Sequence, residues 1–410
     1  MTYRILLAFG TRPEAIKMAP VAQALGQSGR VEVITCVTGQ HRQMLDQVLQ
    51  LFRIRPDYDL DVMRPSQTLT SLTCGILDGM VEVLREARPD LVLVHGDTTT
   101  TLAAAMASCY SRIPVGHVEA GLRTGDQLSP WPEEINRRMT DSISTLWFAP
   151  THLARRNLLS EGADPARVFV TGNTVIDALM SVVAQLRADP MLRSRISAQL
   201  PAIGRGRRLI LVTGHRRESF GTKFLSFCNA LRRIAQSRDD VEIIYPVHLN
   251  PQVREPVFHV LGNVPRVHLI EPLEYMAFTH LMMEAHLIVT DSGGIQEEAP
   301  ALGKPVLVTR DTTERPEAIE AGTARLVGTV EEDIVVAVRE LLDDPVLYAR
   351  FARARNPYGD GRAAQRIATA IESFRGGGCD LPEPEPATVD LPIPAFLGGE
   401  PASAQQMARV

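Results

Sequence analysis

The chain has 410 residues, with 43 basic and 48 acidic side chains and a formal net charge of −5. That near balance gives no support for a nucleic-acid or polyanion surface, so no nucleic-acid partner and a small ligand are expected. The length exceeds what a single hydrophobic core organises and predicts two domains.

The five cysteines, Cys36, Cys74, Cys109, Cys228 and Cys379, are scattered without a CxxC pair. They read as small buried hydrophobes in a reduced, cytoplasmic setting. The N-terminal run MTYRILLAFGTRPEAIK is a first strand followed by a charged helix, not an export signal. No run approaches the ~18 apolar residues of a membrane span.

Strand-like and helix-like segments alternate along the chain. The first half gives strands at Arg4–Phe9, Val31–Val37, Leu91–His95, Pro114–Val118, Thr145–Phe148 and Val168–Val170. Most are continuous apolar or β-branched runs, the pattern of parallel strands buried on both faces. Helices are predicted at Glu14–Leu25, Gln40–Leu51, Thr70–Ala87, Thr99–Tyr110, Glu133–Ser144 and His152–Leu159. Residues 1–175 thus form a doubly wound α/β domain, and residues 176–206 read as a linker, helical and then punctuated by Pro201, Gly204 and Gly206.

A second α/β domain, 207–357, carries strands at Leu209–Thr213, Glu242–Pro246, Val267–Ile270, Leu287–Thr290, Val306–Val308 and Arg325–Val327. Helices near Asp344–Ala354 and Arg362–Ser373 follow. Residues 376–410 are rich in Pro, Gly and acidic residues without a period, and read as a disordered tail. Ligands of open parallel sheets sit off the carboxyl ends of the strands, so two such sheets predict a cleft between them.

Polar groups recur at those strand ends. In Asp291-Ser292-Gly293-Gly294 two glycines stand between a strand and a helix, where orphan amides and the helix dipole favour phosphate. Glu297 and Glu298 follow one turn in, within reach of ribose hydroxyls. The plain alternative is a tight turn without a ligand. Arg12 and Lys17, after Gly10-Thr11, lie near a helix N-terminus, where cations are unfavourable unless they meet an anion. A solvated pair is the alternative.

Asp97 is either an N-cap or a carboxylate aimed into the cleft. His117 and Glu119 are two apart on a strand and are expected on one face. Glu133 and Glu134 open a helix and suit its dipole. His215, between Gly214 and Arg216-Arg217, and His248, in Pro246-Val247-His248, close two further strands. There is no GxGxxG after a strand, no GxxxxGK[ST], GxSxG or HExxH, and the ten histidines show no metal spacing.

These segments resemble one family. FGTRPEAIKMAP, TGQHRQMLDQVL, VHGDTTTTLA, GHVEAGLRTGD, SPWPEEINRR, TGNTVIDAL, VTGHRRESFG, YPVHLNP, TDSGGIQEEAPALGKPVLV, RDTTERPEA and NPYGDG, in this order over residues 3–374, are similar to the bacterial non-hydrolysing UDP-N-acetylglucosamine 2-epimerases.

The resemblance implies a glycosyltransferase-B-type fold of two Rossmann-like domains. A last helix, 358–374, completes the first domain. It implies a homodimer that interconverts UDP-N-acetylglucosamine and UDP-N-acetylmannosamine without metal or cofactor, for surface polysaccharide synthesis. Asp97, Glu119, Glu133 and His215 match the family's catalytic positions. Asp97, Glu119 and His215 also fall among its substrate contacts. Arg12, Lys17, Ser292, Gly293, Gly294, Glu298 and Arg315 match nucleotide contacts, and Leu273 and Phe278 fall where uracil is held. Gln40, His41, Gln43 and His248 fall in segments similar to a regulatory second substrate site. A UDP-sugar glycosyltransferase on the same fold is the alternative.

Overall fold

The computed structural model describes residues 2–39, 42–64, 66–216 and 220–376, without the side chains of 42–44. The expected Gln40, His41 and Gln43 contacts and the tail from 377 lie outside the described residues.

The first sheet contains β1 (Tyr3–Phe9), β2 (Val31–Val37), β3 (Tyr58–Asp59), β4 (Leu91–His95), β5 (Val115–Val118), β6 (Leu146–Ala149) and β7 (Val168–Val170). Their order is β3-β2-β1-β4-β5-β6-β7 and every pairing is parallel. The second sheet contains β8 (Arg208–Thr213), β9 (Val241–Pro246), β10 (Val267–Ile270), β11 (Leu287–Thr290), β12 (Val306–Val308) and β13 (Ala324–Leu326). Its order is β10-β9-β8-β11-β12-β13, again parallel. The α/β class with two doubly wound parallel sheets is therefore as the sequence predicts. β3 escaped it, because two residues carry no periodic pattern.

Both sheets reverse direction at one place, between β1 and β4 in the first and between β8 and β11 in the second. Strand ends on either side of such a switch point diverge and leave a crevice. The loops entering the two crevices are Gly10–Arg12 and Gly96–Asp97 from the first sheet, and Gly214–His215 and Asp291–Gly294 from the second. The candidate residues Arg12, Asp97, His215, Ser292, Gly293 and Gly294 sit there.

The sequence explains the local order. Thr11 caps the helix Arg12–Gln27 in a capping box with Glu14, and Pro13 sits in its first turn. The segment 176–206 begins as the helix Thr174–Ala188, whose Val175, Ile176, Leu179, Val182, Val183 and Leu186 are buried at helical spacing. This helix packs on the helices Arg12–Gln27, Tyr275–Glu284 and Gly293–Ala301. A single apolar cluster consequently runs from Leu7 and Phe9 through Leu179 to Leu211 and Ile288.

The chain also returns. The Asn356 amide donates to the Glu297 carbonyl (2.9 Å). The helix Ala363–Gly376 then packs against the helices Arg12–Gln27 and Thr174–Ala188. Asp177 accepts the backbone N–H groups of Ala363 (3.1 Å) and Ala364 (2.8 Å). No helix among the described residues is long and apolar enough to cross a membrane.

Candidate active site

Lys17 is the link between the two crevices. It lies one turn and a half into the helix Arg12–Gln27 and is buried. Its Nζ hydrogen-bonds Glu119 Oε2, from the first sheet, and lies 3.5 Å from Glu297 Oε2, on the second-sheet helix Gly293–Ala301. Burial would lower the Lys17 ammonium. Glu119 and Glu297 outweigh it and hold it above the usual lysine range. The cation has carboxylate partners within the protein, which the sequence did not reveal.

Glu119 stands just beyond β5 with φ at +66°, a left-handed conformation uncommon for a non-glycine residue. Its Oε2 accepts from Lys17, from His95 Nε2 (3.1 Å) and from Asn173 Nδ2 (3.3 Å). Burial would raise this carboxyl, but Lys17 and His95 outweigh it and hold it well below the usual carboxylate range.

His117 does not share this environment, contrary to the strand-face expectation. Its Nδ1 meets Asp141 Oδ1 and its Nε2 meets the Gly96 carbonyl, both at 2.7 Å. The alternation rule fails because the strand ends at Val118, and the positive φ turns Glu119 away.

Asp97 is held by the helix Glu133–Ile143. Asn136 Nδ2 donates to its carbonyl (2.9 Å) and Arg137 pairs with its carboxylate. Asp97 is not the N-cap of the helix Thr99–Tyr110; Thr98 is. Glu133 opens the helix that grips Asp97, and its buried Oε2 has no hydrogen-bond partner among the described residues. Its neighbour Glu134 instead accepts from the Thr124 N–H (3.1 Å).

On the second sheet, Ser292 is the N-cap of the helix Gly293–Ala301 without a side-chain cap hydrogen bond, so that side chain does not satisfy the first amides. A Cβ on Gly293 would lie 2.7 Å from the Arg315 guanidinium carbon, whereas one on Gly294 would meet only Glu298 at 3.9 Å. The first glycine makes room for Arg315; the second leaves the approach to the helix open. Arg315 Nε donates to Glu297 Oε1 (2.8 Å), and Arg315 also pairs with Glu314 (2.8 Å).

Glu298 is buried and accepts from the Tyr275 hydroxyl (2.6 Å). Burial pushes its carboxyl up to about 7, against the pull of Tyr275, Lys17 and Arg12. Arg12 reaches across to the Leu273 carbonyl (3.3 Å). Phe278 packs half-buried on the helix Tyr275–Glu284.

His215 receives a backbone anchor, its N–H donating to Asp291 Oδ2 (2.7 Å). Its ring stacks on His248, with centroids 5.3 Å apart. Burial lowers the His215 imidazole, and His248 and Arg216 add to this against Asp291. Among the described residues no group of three or more His, Cys, Asp or Glu could hold a metal ion.

Sequence reasoning passed over His95, Asn173, Arg137 and Tyr275. A histidine closing the apolar strand Leu91–His95, directly before Gly96-Asp97, was a usable signal for the first. Asn173 looks only like an N-cap, which it also is. Arg137 and Tyr275 gave no signal, since their partners are 40 and 23 residues away in sequence.

Two facing doubly wound sheets, with an open helix N-terminus on one and clustered carboxylates on the other, define an α/β enzyme of the glycosyltransferase-B type. The model for UDP-N-acetylglucosamine 2-epimerase matches residues 23–372. The chain belongs to the UDP-N-acetylglucosamine 2-epimerase family. It is 58% identical to the Escherichia coli K12 UDP-N-acetylglucosamine 2-epimerase over 372 residues, 91% of this chain and 99% of that protein. It is 49% identical to the Campylobacter jejuni protein of that name over 374 residues, 90% and 98% of the two chains. Among solved structures, the Neisseria meningitidis UDP-GlcNAc 2-epimerase bound to UDP-GlcNAc superimposes with a TM-score of 0.86 at 48% identity, covering 91% of this chain and all (100%) of that one. The Methanocaldococcus jannaschii enzyme in complex with UDP-GlcNAc and UDP gives 0.77 at 34% identity, covering 90% and 99%.

Proposed function

We propose that this chain interconverts UDP-N-acetylglucosamine and UDP-N-acetylmannosamine by inverting carbon 2 of the sugar. The observation that carries the reading is the Lys17 bridge, which ties the carboxylate Glu119 to Glu297 on the helix Gly293–Ala301, whose open N-terminus suits an anion. Reacting sugar and departing diphosphate then meet at one cation. Membership of the family supports it.

The hydrogen on carbon 2 has no adjacent carbonyl to stabilise a carbanion, so simple proton exchange is slow. Elimination avoids the problem. The bond from carbon 1 to UDP breaks, a base takes the proton from carbon 2, and a 2-acetamidoglucal remains in the cleft. UDP then adds back to carbon 1 while a proton reaches carbon 2 from the opposite face. Asp97, Glu119 and Glu133 serve proton transfer and support the cationic transition state. The ionised state of Glu119 suits the second task in particular.

His215 supports the leaving diphosphate, whose charge would raise its lowered imidazole again. Arg12, Lys17, Arg315, Ser292, Gly293 and Gly294 hold the diphosphate, Glu298 the ribose, and Leu273 and Phe278 the uracil. A closed cleft keeps water from the oxocarbenium-like species. The product's role as a surface polysaccharide precursor, a homodimeric state and a cytoplasmic setting complete the proposal.

The experiment is incubation with UDP-N-acetylglucosamine in D₂O, followed by NMR. The expected result is a mixture of both epimers with deuterium at carbon 2. Unchanged substrate, or UDP with free sugar, would overturn the reading; transfer of the sugar to an added acceptor would favour a glycosyltransferase.

A further inference from the structure

We infer that His95 is a positioning residue for Glu119, fixing which carboxylate oxygen the site presents. The inference rests on the epimerase reading above. Every hydrogen bond that the described residues make to the Glu119 carboxylate goes to Oε2: Lys17 Nζ, His95 Nε2 at 3.1 Å and Asn173 Nδ2 at 3.3 Å. Oε1 takes none of them. Three donors on one oxygen fix the torsion of the carboxylate and leave Oε1 as the oxygen for the substrate.

The three donors are not equivalent. Lys17 also faces Glu297 and sits where the diphosphate is proposed to bind, so bound substrate competes for its charge. Asn173 is tied as the N-cap of the helix Thr174–Ala188, its Oδ1 accepting from the Val175 N–H (3.0 Å). His95 lies on β4, the central strand of the first sheet with every residue buried, and is itself buried. Its Nδ1 is buried and has no hydrogen-bond partner among the described residues, so the hydrogen bond the ring makes to them is the one to Glu119.

A carboxylate oxygen that is ionised only accepts, so Nε2 carries the hydrogen toward it. The backbone of Glu119 is in the left-handed region, a conformation that persists only where surrounding contacts impose it. His95 thus secures Glu119 Oε2 when Lys17 turns to phosphate. The titratable and charged groups around Glu119 are Lys17 from the helix Arg12–Gln27, His95 from β4, and Arg315 from the second-sheet side, with Glu297 acting through Lys17.

The test compares His95→Leu, which removes the donor, with His95→Gln, which keeps an N–H near the same reach. The full chain is assayed with UDP-N-acetylglucosamine for kcat, KM and the acid limb of the kcat profile at saturating substrate, where the affinity change at Glu298 does not enter, alongside UDP affinity and Tm. For His95→Leu, kcat falls about tenfold to a hundredfold, the loss of one hydrogen bond to a charged group, while KM stays near wild type. Its acid limb moves to higher pH, because a carboxylate that loses a donor is more easily protonated. His95→Gln retains the wild-type limb and most of kcat.

Wild-type kcat and limb in His95→Leu would overturn the proposal. So would His95→Gln as impaired as His95→Leu at unchanged Tm and UDP affinity. Should the Leu variant not fold, a retained acid limb in His95→Gln supports the proposal and a displaced one overturns it. A wild-type chain that puts no deuterium at carbon 2 sinks the epimerase reading itself, a separate failure.

Discussion

Lys17 Nζ bonds Glu119 and stands 3.5 Å from Glu297, so one buried ammonium is shared between a carboxylate from each half of the chain. Removing one partner of a buried ionic cluster leaves uncompensated charge, at a cost of about 3–5 kcal/mol. Lys17→Met is therefore expected to lower the unfolding free energy, measured by denaturant titration, by an amount of that order, and the midpoint with it. Glu119 is depressed in the fold, so its contribution is present above the unfolded carboxylate range and lost as pH falls through its folded value. In Lys17→Met that acid sensitivity shrinks. An unaltered midpoint would show that the pair contributes no stability.

Asp97 is fixed by Arg137 and Asn136 from the helix Glu133–Ile143 beside the first sheet, not by the helix that is proposed to hold UDP. Asp97→Asn should cost at least ~10²-fold in kcat, the low end for general acid-base groups, with UDP affinity by calorimetry unchanged. Wild-type turnover in this variant would remove Asp97 from the mechanism.

Glu298 is pushed up to about 7 by burial. Ribose hydroxyls donate best to the ionised carboxylate, and ionising it costs free energy only below that pH. Affinity for the nucleotide sugar should thus rise with pH and level off above neutrality. At about pH 6 it should be about tenfold weaker than the plateau, one pKa unit being a factor of ten. Glu298→Gln should flatten the profile; a slope retained in that variant would assign the titration elsewhere.

Gly293 and Gly294 make opposite predictions although they are adjacent. A Cβ at Gly293 would meet the Arg315 guanidinium at 2.7 Å and displace it from Glu297. Gly293→Ala should therefore lower the Tm of the free protein. Gly294→Ala meets only Glu298 at 3.9 Å, leaves Tm unchanged, and weakens UDP binding by narrowing the approach to the helix N-terminus. Equal Tm values for the two variants would contradict this division.

The strand ends were legible because parallel strands buried on both faces must be apolar throughout, so charged residues closing them stand out. That is why Asp97, Glu119, His215 and the Asp291–Glu298 loop could be read directly. The helix Thr174–Ala188 was harder. Its pattern gives a helix, but only the fold shows it buried between the two sheets. His117 shows the limit of periodicity: its alternation with Glu119 ended where the backbone turned to positive φ.

By itself, the sequence determined the α/β class, the two sheets, the capped helix at Thr11 and the family, since these follow from local periodicity, local capping chemistry and the order of motifs. The tertiary structure decided which strand ends face one another. Lys17 and Glu119 are 102 residues apart, and Lys17 and Glu297 lie in different halves of the chain. Their pairing depends on how two sheets reverse and pack. Buried charge makes that pairing obligatory once the sheets meet, but no local propensity records it.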